Sequence, residues 1–276
     1  MDPLLHKKIH LTSNRTKYRI MIVSVLLIFL GLYLFYKTIL YQPPRRMVSF
    51  SDEYSCRICY LLNLDGMKGL GHSALLLIDE DGNGQIFSYN GMQYNLFQCL
   101  IGNEGIGKMK EFDMDALETE NFLKTGSPSM SEDEKINFEE CIDFDRILYR
   151  YISREQYNLI RQSITPYIDA GDQYETLYAR LHGAEPLSAL EKNMIDEELR
   201  FLREDPQTPK YQIYNHNCDT AARELIAIVD EDMLLYNKFS ARLTPSGNYK
   251  SMCRMFSENW GYGALGTDTL LEKLLQ

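Results

Sequence analysis

Residues 211–226 read Tyr-Gln-Ile-Tyr-Asn-His-Asn-Cys-Asp-Thr-Ala-Ala-Arg-Glu-Leu-Ile, and the predicted fold is built around this stretch. Its first half alternates and carries Tyr and Ile, which predicts a short strand. From Asp219 to about Val229, apolar residues recur at helical spacing between good helix formers, which predicts a helix. Cys218 therefore lies where a strand turns into a helix.

The position of Cys218 at a predicted helix N-terminus has a chemical consequence. The unpaired N–H groups and the helix dipole favour an anion there, so a thiol ionises more easily than a free one. A nucleophilic cysteine requires this ionisation. A small buried cysteine packed under a helix is an equally good interpretation of this segment taken alone.

The N-terminal part of the chain contains a candidate membrane segment. Ile20–Tyr36 has no charged residue, and the apolar character resumes after Lys37 as far as Tyr41. This length suits one bilayer crossing. We therefore predict a single transmembrane helix over residues 20–41, followed by a stiff polar linker over residues 42–53.

Flanking charge predicts the orientation of this helix. The basic residues before the span are Lys7, Lys8, Arg15, Lys17 and Arg19, and those after it are Lys37, Arg45 and Arg46. The excess on the N-terminal side predicts a cytoplasmic tail over residues 1–19 and a C-terminal domain outside the cytoplasm. No small-x-small cleavage site follows the apolar run, which indicates an uncleaved anchor in the cell membrane.

Charge is divided unevenly along the chain. The first 46 residues hold 8 of the 29 Lys and Arg and 1 of the 39 Asp and Glu. The remaining 230 residues carry 21 basic and 38 acidic groups, a net charge of −17. This balance argues against a nucleic-acid partner and against docking on an anionic membrane surface. It fits a soluble catalytic or binding module on a tether.

The cysteine pattern does not indicate a dense disulfide framework. The six cysteines are Cys56, Cys59, Cys99, Cys141, Cys218 and Cys253. Cys56-Arg57-Ile58-Cys59 is a CxxC, but no second CxxC or paired His completes a zinc site. We interpret it first as a strand whose two cysteines face opposite ways, then as a redox pair, and last as a metal site. No metal or cofactor is predicted.

Residues 71–91 predict a hairpin that carries a candidate base. His72 opens an apolar run, and either Asp81-Gly82 or Asn83-Gly84 is a suitable turn before the second strand. A turn centred on Asp81-Gly82 places Gly91 opposite His72, and a longer loop shifts other residues there. Three polar groups of the second strand could orient the imidazole, namely Ser88, Tyr89 and Asn90. A lone His at a strand end is more often only a satisfied polar residue.

Patterns in the rest of the chain predict further elements of an α+β fold. Strands are expected at 54–64, 106–114 and 142–151, a helix at 115–123 and a surface loop at 124–133. Further on, we expect a helix from Ser153 to about Ala170, a turn at 243–249 before a short helix, and a last helix at 268–275. Residues 171–210 are helical and highly charged, and we predict that they are an insertion. This insertion is either a solvated helical face or a lid that selects substrate.

Four motifs together resemble the circularly permuted papain-like group, which includes permuted NlpC-type peptidases, the lecithin-retinol acyltransferase family and PPPDE-type isopeptidases. They are Gly-His-Ser-Ala-Leu-Leu-Leu at 71–77, Ile-Phe-Ser-Tyr-Asn-Gly at 86–91, Ser-Arg-Glu-Gln-Tyr at 153–157 and Tyr-Asn-His-Asn-Cys-Asp-Thr at 214–220. In this chain, as in that group, His precedes Cys. The resemblance covers about residues 54–260 and implies a permuted papain-like domain over 54–276, with an antiparallel sheet packed on helices.

The resemblance also implies roles for individual residues. Cys218 becomes the nucleophile and His72 the general base, with the orienting third position on Ser88, Tyr89 or Asn90. The chain departs from the family pattern because no His, Glu or Gln occupies that third slot. His216 is an alternative base, ranked below His72 because a residue two positions before the nucleophile rarely brings its ring to the thiol.

The function expected from these residues is a membrane-anchored thiol hydrolase of amide bonds in peptides or isopeptides. Because the domain is predicted outside the cytoplasm, its expected substrate is a cell-envelope peptide such as peptidoglycan. One alternative is a thiol-dependent lipid acyltransferase or thioesterase, since the tether holds the domain near lipid. Another is a catalytically inactive binding module with the same fold.

Overall fold

The computed structural model describes residues 3–36, 45–48, 53–66, 71–92, 105–129, 143–213, 216–235, 244–255 and 259–266. Two compact units are present, Met1–Gln42 and Pro43–Gln276. The predicted final helix at 268–275 and part of the predicted loop at 124–133 lie outside the described residues.

The first unit contains one long helix, α1, which spans Pro3–Phe35. Its Thr16–Phe35 window has a mean hydropathy of 2.2 and is not buried by protein, so α1 is long and apolar enough to cross a membrane. The helix begins well before the predicted boundary at residue 20. Residues 4–30 contain no Gly or Pro, so nothing in the predicted tail interrupts helical hydrogen bonding.

The second unit is built on an antiparallel sheet with helices around it, as predicted for its α and β content. The described strands are β1 (Cys56–Asn63), β2 (His72–Ile78), β3 (Gly84–Gly91), β4 (Gly105–Met114), β5 (Arg146–Ile152), β6 (Lys210–Tyr211) and β7 (Gly261–Ala264). They lie in the order β6-β4-β3-β2-β1-β5-β7, and each neighbouring pair is antiparallel.

Helices of the second unit connect and cover these strands. They are α2 (Ala116–Thr125), α3 (Arg154–His182), α4 (Ala189–Glu204), α5 (Cys218–Ile226), α6 (Asp232–Leu235) and α7 (Pro245–Met255). The strand predicted at 54–64 and the helix predicted at 115–123 are both present with shifted ends. Residues 245–249 of the predicted turn are instead the first part of α7. Because the helices pack on the sheet from both sides, alternate residues of each strand enter different cores.

The two faces of the sheet have separate hydrophobic cores. On one face Tyr60, Leu75 and Tyr89 pack with residues of α3, α5 and α7, and we call this the α5 face. On the other face Leu61 and Leu76 pack with residues of α2, and we call this the α2 face. The same alternation places Cys56 on the α5 face and Cys59 on the α2 face, as predicted for the CxxC.

The predicted hairpin is formed by β2 and β3, but its loop is longer than either two-residue turn. The recorded pairs run from Leu75↔Phe87 to Ile78↔Gly84, which leaves residues 79–83 in the loop. Asp79 Oδ1 accepts hydrogen bonds from the N–H groups of Asp81 (3.0 Å) and Asn83 (2.8 Å). Extending this register by the same spacing brings Asn90, and not Gly91, opposite His72.

Helix α3 continues to His182, twelve residues past the predicted end at Ala170. The helix continues through Gly171, and the missing side chain of this residue leaves room for β4 to pack closely against the helix. A Cβ added there would lie 2.6 Å from Lys108 Cγ. The Lys108 ammonium then reaches Asp172 at 2.9 Å and also pairs with Glu175. The proposed insertion at 171–210 therefore begins inside a continuous helix and continues through α4.

The start of α3 is a capping box formed by Ser153 and Gln156. Ser153 Oγ accepts from Gln156 N at 3.2 Å, and Gln156 Oε1 accepts from Ser153 N at 3.0 Å. We expect Ser153→Ala to lower the free energy of unfolding by about 1 kcal/mol, because it removes this N-cap. Urea unfolding in mild detergent measures the change. Ser163→Ala, within the same helix, is the matched control and should cause no comparable loss.

Candidate functional site

The strand predicted before Cys218 is much shorter than expected. Only Lys210–Tyr211 forms β6, which pairs with the start of β4. Gln212 and His216 then form an isolated antiparallel bridge with main-chain hydrogen bonds of 2.8 and 2.9 Å. Helix α5 starts at Cys218, just after this bridge.

Helix α5 begins at Cys218, with Asn217 as its N-cap. Asn217 Oδ1 accepts from the N–H groups of Asp219 (3.0 Å) and Thr220 (3.1 Å), and Asn217 Nδ2 donates to the Ile213 carbonyl (2.8 Å). The cap therefore occupies first-turn N–H groups of the kind that the sequence led us to expect beside a thiolate. Cys218 lies at the helix N-terminus, as predicted, but two of the N–H groups of that terminus are already hydrogen-bonded to Asn217.

The Cys218 thiol is buried against the start of β2, with 3% of the residue exposed. Burial raises the pKa of the thiol, the nearby Ser73 N–H and hydroxyl oppose this rise, and the Asp219 carboxylate adds to it. Ser73 Oγ lies close to the sulfur and to the Tyr60 hydroxyl, yet it forms no well-aligned hydrogen bond with the described residues. In this conformation Cys218 is shielded from solvent, and its surroundings disfavour the thiolate form.

A buried charge cluster beside Cys218 was not found from the sequence. The Asp219 carboxylate is 2% exposed and accepts from Tyr60 Oη at 2.6 Å and Asn248 Nδ2 at 2.6 Å. It also accepts from Arg223 Nε at 2.9 Å and pairs with Arg223 Nη2 at 2.8 Å. The available signal was the i, i+4 spacing of Asp219 and Arg223 directly after Cys218. These contacts fix α5 to β1 and α7.

His72 is the first residue of β2 and follows a backbone turn that only glycine adopts easily. Gly71 has φ of 91°, and a Cβ there would lie 2.5 Å from Ser246 Oγ. The His72 ring is 2% exposed, and its Nε2 lies 2.8 Å from Ser88 Oγ. Asn90 Nδ2 donates to the same Ser88 oxygen at 3.1 Å. Burial lowers the pKa of His72 to about 4, so the ring is neutral at pH 7.

Strand alternation places the predicted nucleophile and base on opposite faces of the sheet. His72 and Ser88 share the side of Leu76 and Ile86 on the α2 face, whereas the Cys218 sulfur lies beside Ser73 on the α5 face. No hydrogen bond joins the sulfur to the His72 ring among the described residues. The Cys218–His72 dyad stays a prediction, and in this conformation the backbone of β2 lies between its members.

The three residues predicted to orient His72 differ in where they lie relative to its ring. Ser88 contacts the His72 ring directly, and Asn90 contacts Ser88. Tyr89 faces the other way, into the core on the α5 face, where its ring centroid is 5.5 Å from that of His216. Its hydroxyl is buried without a hydrogen-bond partner among the described residues. In this conformation Tyr89 thus lies on the face of the sheet opposite to the His72 ring.

His216 is held by acceptors on both ring nitrogens. Nδ1 lies 2.6 Å from the Lys210 carbonyl oxygen, and Nε2 lies 3.0 Å from Glu224 Oε2. A carbonyl and a carboxylate both accept, so donating to both requires the imidazolium form. These two contacts give the His216 ring a bridging position between β6 and α5.

The described residues contain neither a metal-binding cluster nor a disulfide. No group of three or more His, Cys, Asp or Glu in these residues is arranged to hold a metal ion. Cys56, Cys59, Cys218 and Cys253 are free thiols, so the CxxC forms no disulfide. Cys99 and Cys141 lie outside the described residues.

No protein-family model, curated protein or solved structure matches this chain. The resemblance to the permuted papain-like group therefore depends on its four motifs.

The buried His72 ring predicts a loss of stability in acid. An unfolded His takes up a proton below about pH 6.5, whereas the folded ring stays neutral until about pH 4, so acidification favours unfolding. The loss across this window is about 3 kcal/mol. We expect His72→Gln to flatten the dependence of unfolding free energy on pH between 6.5 and 4. His182→Gln, at an exposed position of α3, should leave that dependence intact.

The buried Cys218 thiol predicts slow alkylation. Near neutral pH, iodoacetamide should modify Cys218 more slowly than an exposed peptide cysteine, because both the thiolate fraction and the access are reduced. The rate should climb as the pH rises above the ordinary thiol range. Peptide mass spectrometry follows the site, with buried Cys253 as an internal comparison. Rapid modification of Cys218 at pH 7 would contradict this description of its environment.

Proposed function

We propose that this chain is a membrane-tethered thiol hydrolase of amide bonds, with Cys218 as nucleophile and His72 as base. One observation supports this most directly. The Cys218 sulfur is packed beside Ser73, the chain neighbour of His72, and the His72 ring is oriented by Ser88 and Asn90. A helix-terminal thiol, a histidine and a hydrogen-bonded orienting group thus lie at one end of β2, the thiol on the α5 face and the other two on the α2 face.

The proposed reaction has two stages. The Cys218 sulfur attacks the substrate carbonyl, and the proton taken by His72 passes to the leaving amine as the C–N bond breaks. Water then attacks the thioester, which releases the acid and returns the proton to the sulfur. The N–H of Cys218, at the positive end of α5, is suitably placed to stabilise the oxyanion.

Activity by this route requires a change at the start of β2. Burial raises the pKa of the Cys218 thiol and lowers the pKa of His72 to about 4, so proton transfer from the sulfur to the ring is strongly disfavoured in the present arrangement. The recorded β2–β3 pairs begin only at Leu75↔Phe87, but residues 72–74 are paired with β1 through Asn63↔His72, Leu62↔Ser73 and Leu61↔Ala74. We propose that this end of β2 detaches from β1 and rotates when substrate binds, which brings the His72 ring to the α5 face and activates the pair.

The proposed class of substrate follows from the proposed location of the second unit outside the cytoplasm. If α1 spans the cell membrane with residues 1–19 in the cytoplasm, the second unit meets peptides of the cell envelope, including the stem peptides of peptidoglycan. The acidic charge of this unit favours substrates with free amines over anionic polymers.

The test is hydrolysis of envelope peptides by the full-length protein in lipid nanodiscs. We expect Cys218→Ala to reduce amine release at least about a hundredfold, because the nucleophile is lost. Cys253→Ala removes a similarly buried thiol on α7 and is the matched control. Ser88→Ala should lower kcat more than it raises KM, since Ser88 orients the base and does not contact substrate.

Unchanged hydrolysis by the Cys218→Ala protein would overturn the assignment. Transfer of a radiolabelled acyl chain, with no amine released, would identify the alternative acyltransferase chemistry. Protease accessibility of the second unit on intact cells tests the orientation independently of activity.

A specific observation also favours a second candidate, a tethered binding module without catalysis. The thiol is buried with a raised pKa, and the candidate base lies across the sheet. A protein of this kind would show no hydrolysis and no change in binding to its partner when Cys218 is replaced by Ala. Slow alkylation that persists when envelope peptide is added would favour this candidate over the gated hydrolase.

A further inference from the structure

Helix α4 has apolar residues on two sides. Its inner side, which includes Ile195, Leu199 and Leu202, is buried against α3 and β4. Three large apolar residues remain exposed on the other side, namely Leu190 at 71%, Met194 at 54% and Phe201 at 70%. Positions 190, 194 and 201 follow one stripe of a helix. Exposed apolar residues grouped in this way are typical of an interaction surface.

The stripe borders an open groove between α3 and α4. The groove has a volume of about 400 Å³, and Met194 and Phe201 supply its apolar lining. Three carboxylates also line it, Glu197, Glu198 and Glu204, against the single cation Arg200. We call these residues, together with Leu190, the α4 groove.

The groove carboxylates differ from other acidic residues on the same two helices. Asp172 pairs with Lys108 at 2.9 Å, and Glu191 lies 3.8 Å from Arg180. Among the described residues, none of Glu197, Glu198 and Glu204 has an ion-pair partner. Their charge is therefore available to a molecule that enters the groove.

We propose that the α4 groove binds a cationic amphipathic segment of a partner protein. Apolar side chains of that segment would pack on Met194 and Phe201, and its Lys or Arg side chains would face Glu197, Glu198 and Glu204. Exposed aromatic and Met side chains suit the apolar anchors of such a segment.

Charge distinguishes this occupant from two others. An anionic lipid surface would be repelled by the three carboxylates. A second copy of this chain, docked by the same surface about a two-fold axis, would bring identical carboxylates together. The net charge of −17 after residue 46 also steers a cationic partner towards this domain.

The test measures binding of a fluorescent Lys/Leu helical peptide of about 18 residues to the full-length protein in nanodiscs of zwitterionic lipid. Empty nanodiscs provide the blank. We expect saturable binding that weakens as salt rises, and a loss of about tenfold or more in affinity for the double variant Met194→Ser and Phe201→Ser. Glu197→Gln with Glu198→Gln should also weaken binding. Leu159→Ser, at a 51% exposed site on α3, is the matched control and should leave the affinity unchanged.

Three results would overturn the proposal. The first is equal binding of a Glu/Leu peptide with the same apolar pattern, and the second is unchanged affinity of the Met194 and Phe201 variant for the Lys/Leu peptide. The third is that the unaltered protein sediments as a dimer and this variant as a monomer. Vesicle binding that depends on Phe201 and on anionic lipid would likewise assign the surface to membrane. Because Cys218→Ala leaves the groove intact, peptide binding by that variant separates this proposal from the proposed hydrolase.

Discussion

The structure around the candidate site depends on one buried carboxylate. Asp219 is the second residue of α5, and Tyr60, Asn248 and Arg223 all donate to it away from solvent. A buried charge is tolerated only when its hydrogen-bonding capacity is filled, and removing one partner of such a pair typically costs about 3–5 kcal/mol. These contacts set the position of the first turn of α5 relative to β1 and α7.

The position of Cys218 follows from this constraint. Because its neighbour is tied to Tyr60 and Asn248, the sulfur is pressed against Ser73 and is shielded from water. Burial that stabilises the helix also opposes ionisation of the thiol. The same carboxylate adds a negative charge close to the sulfur, so stability and nucleophilicity act against each other at this helix terminus.

Local chemistry made several elements predictable. The hairpin of β2 and β3 follows from two apolar runs around an Asp- and Gly-rich loop, and the start of α3 follows from the Ser153–Gln156 capping box. Errors arose where a residue serves a distant contact. Gly171 resembles a helix end in sequence, yet it is required because Lys108 packs against it. A second error is local, because Gln212 lies in a stretch that alternates like a strand, yet its main-chain hydrogen bonds are made to nearby His216.

The sequence by itself determined that Cys218 starts a helix, that His72 starts a strand, and that the CxxC cysteines point in opposite directions. Each of these depends on neighbouring residues and on the periods of helix and strand. Only the tertiary structure decided which face of the sheet receives α5. That choice is made by the contacts of Asp219 with Tyr60 on β1 and Asn248 on α7, which lie 159 and 29 positions away in the chain. It places Ser73, and not His72, beside the sulfur, because adjacent residues of a strand face opposite ways.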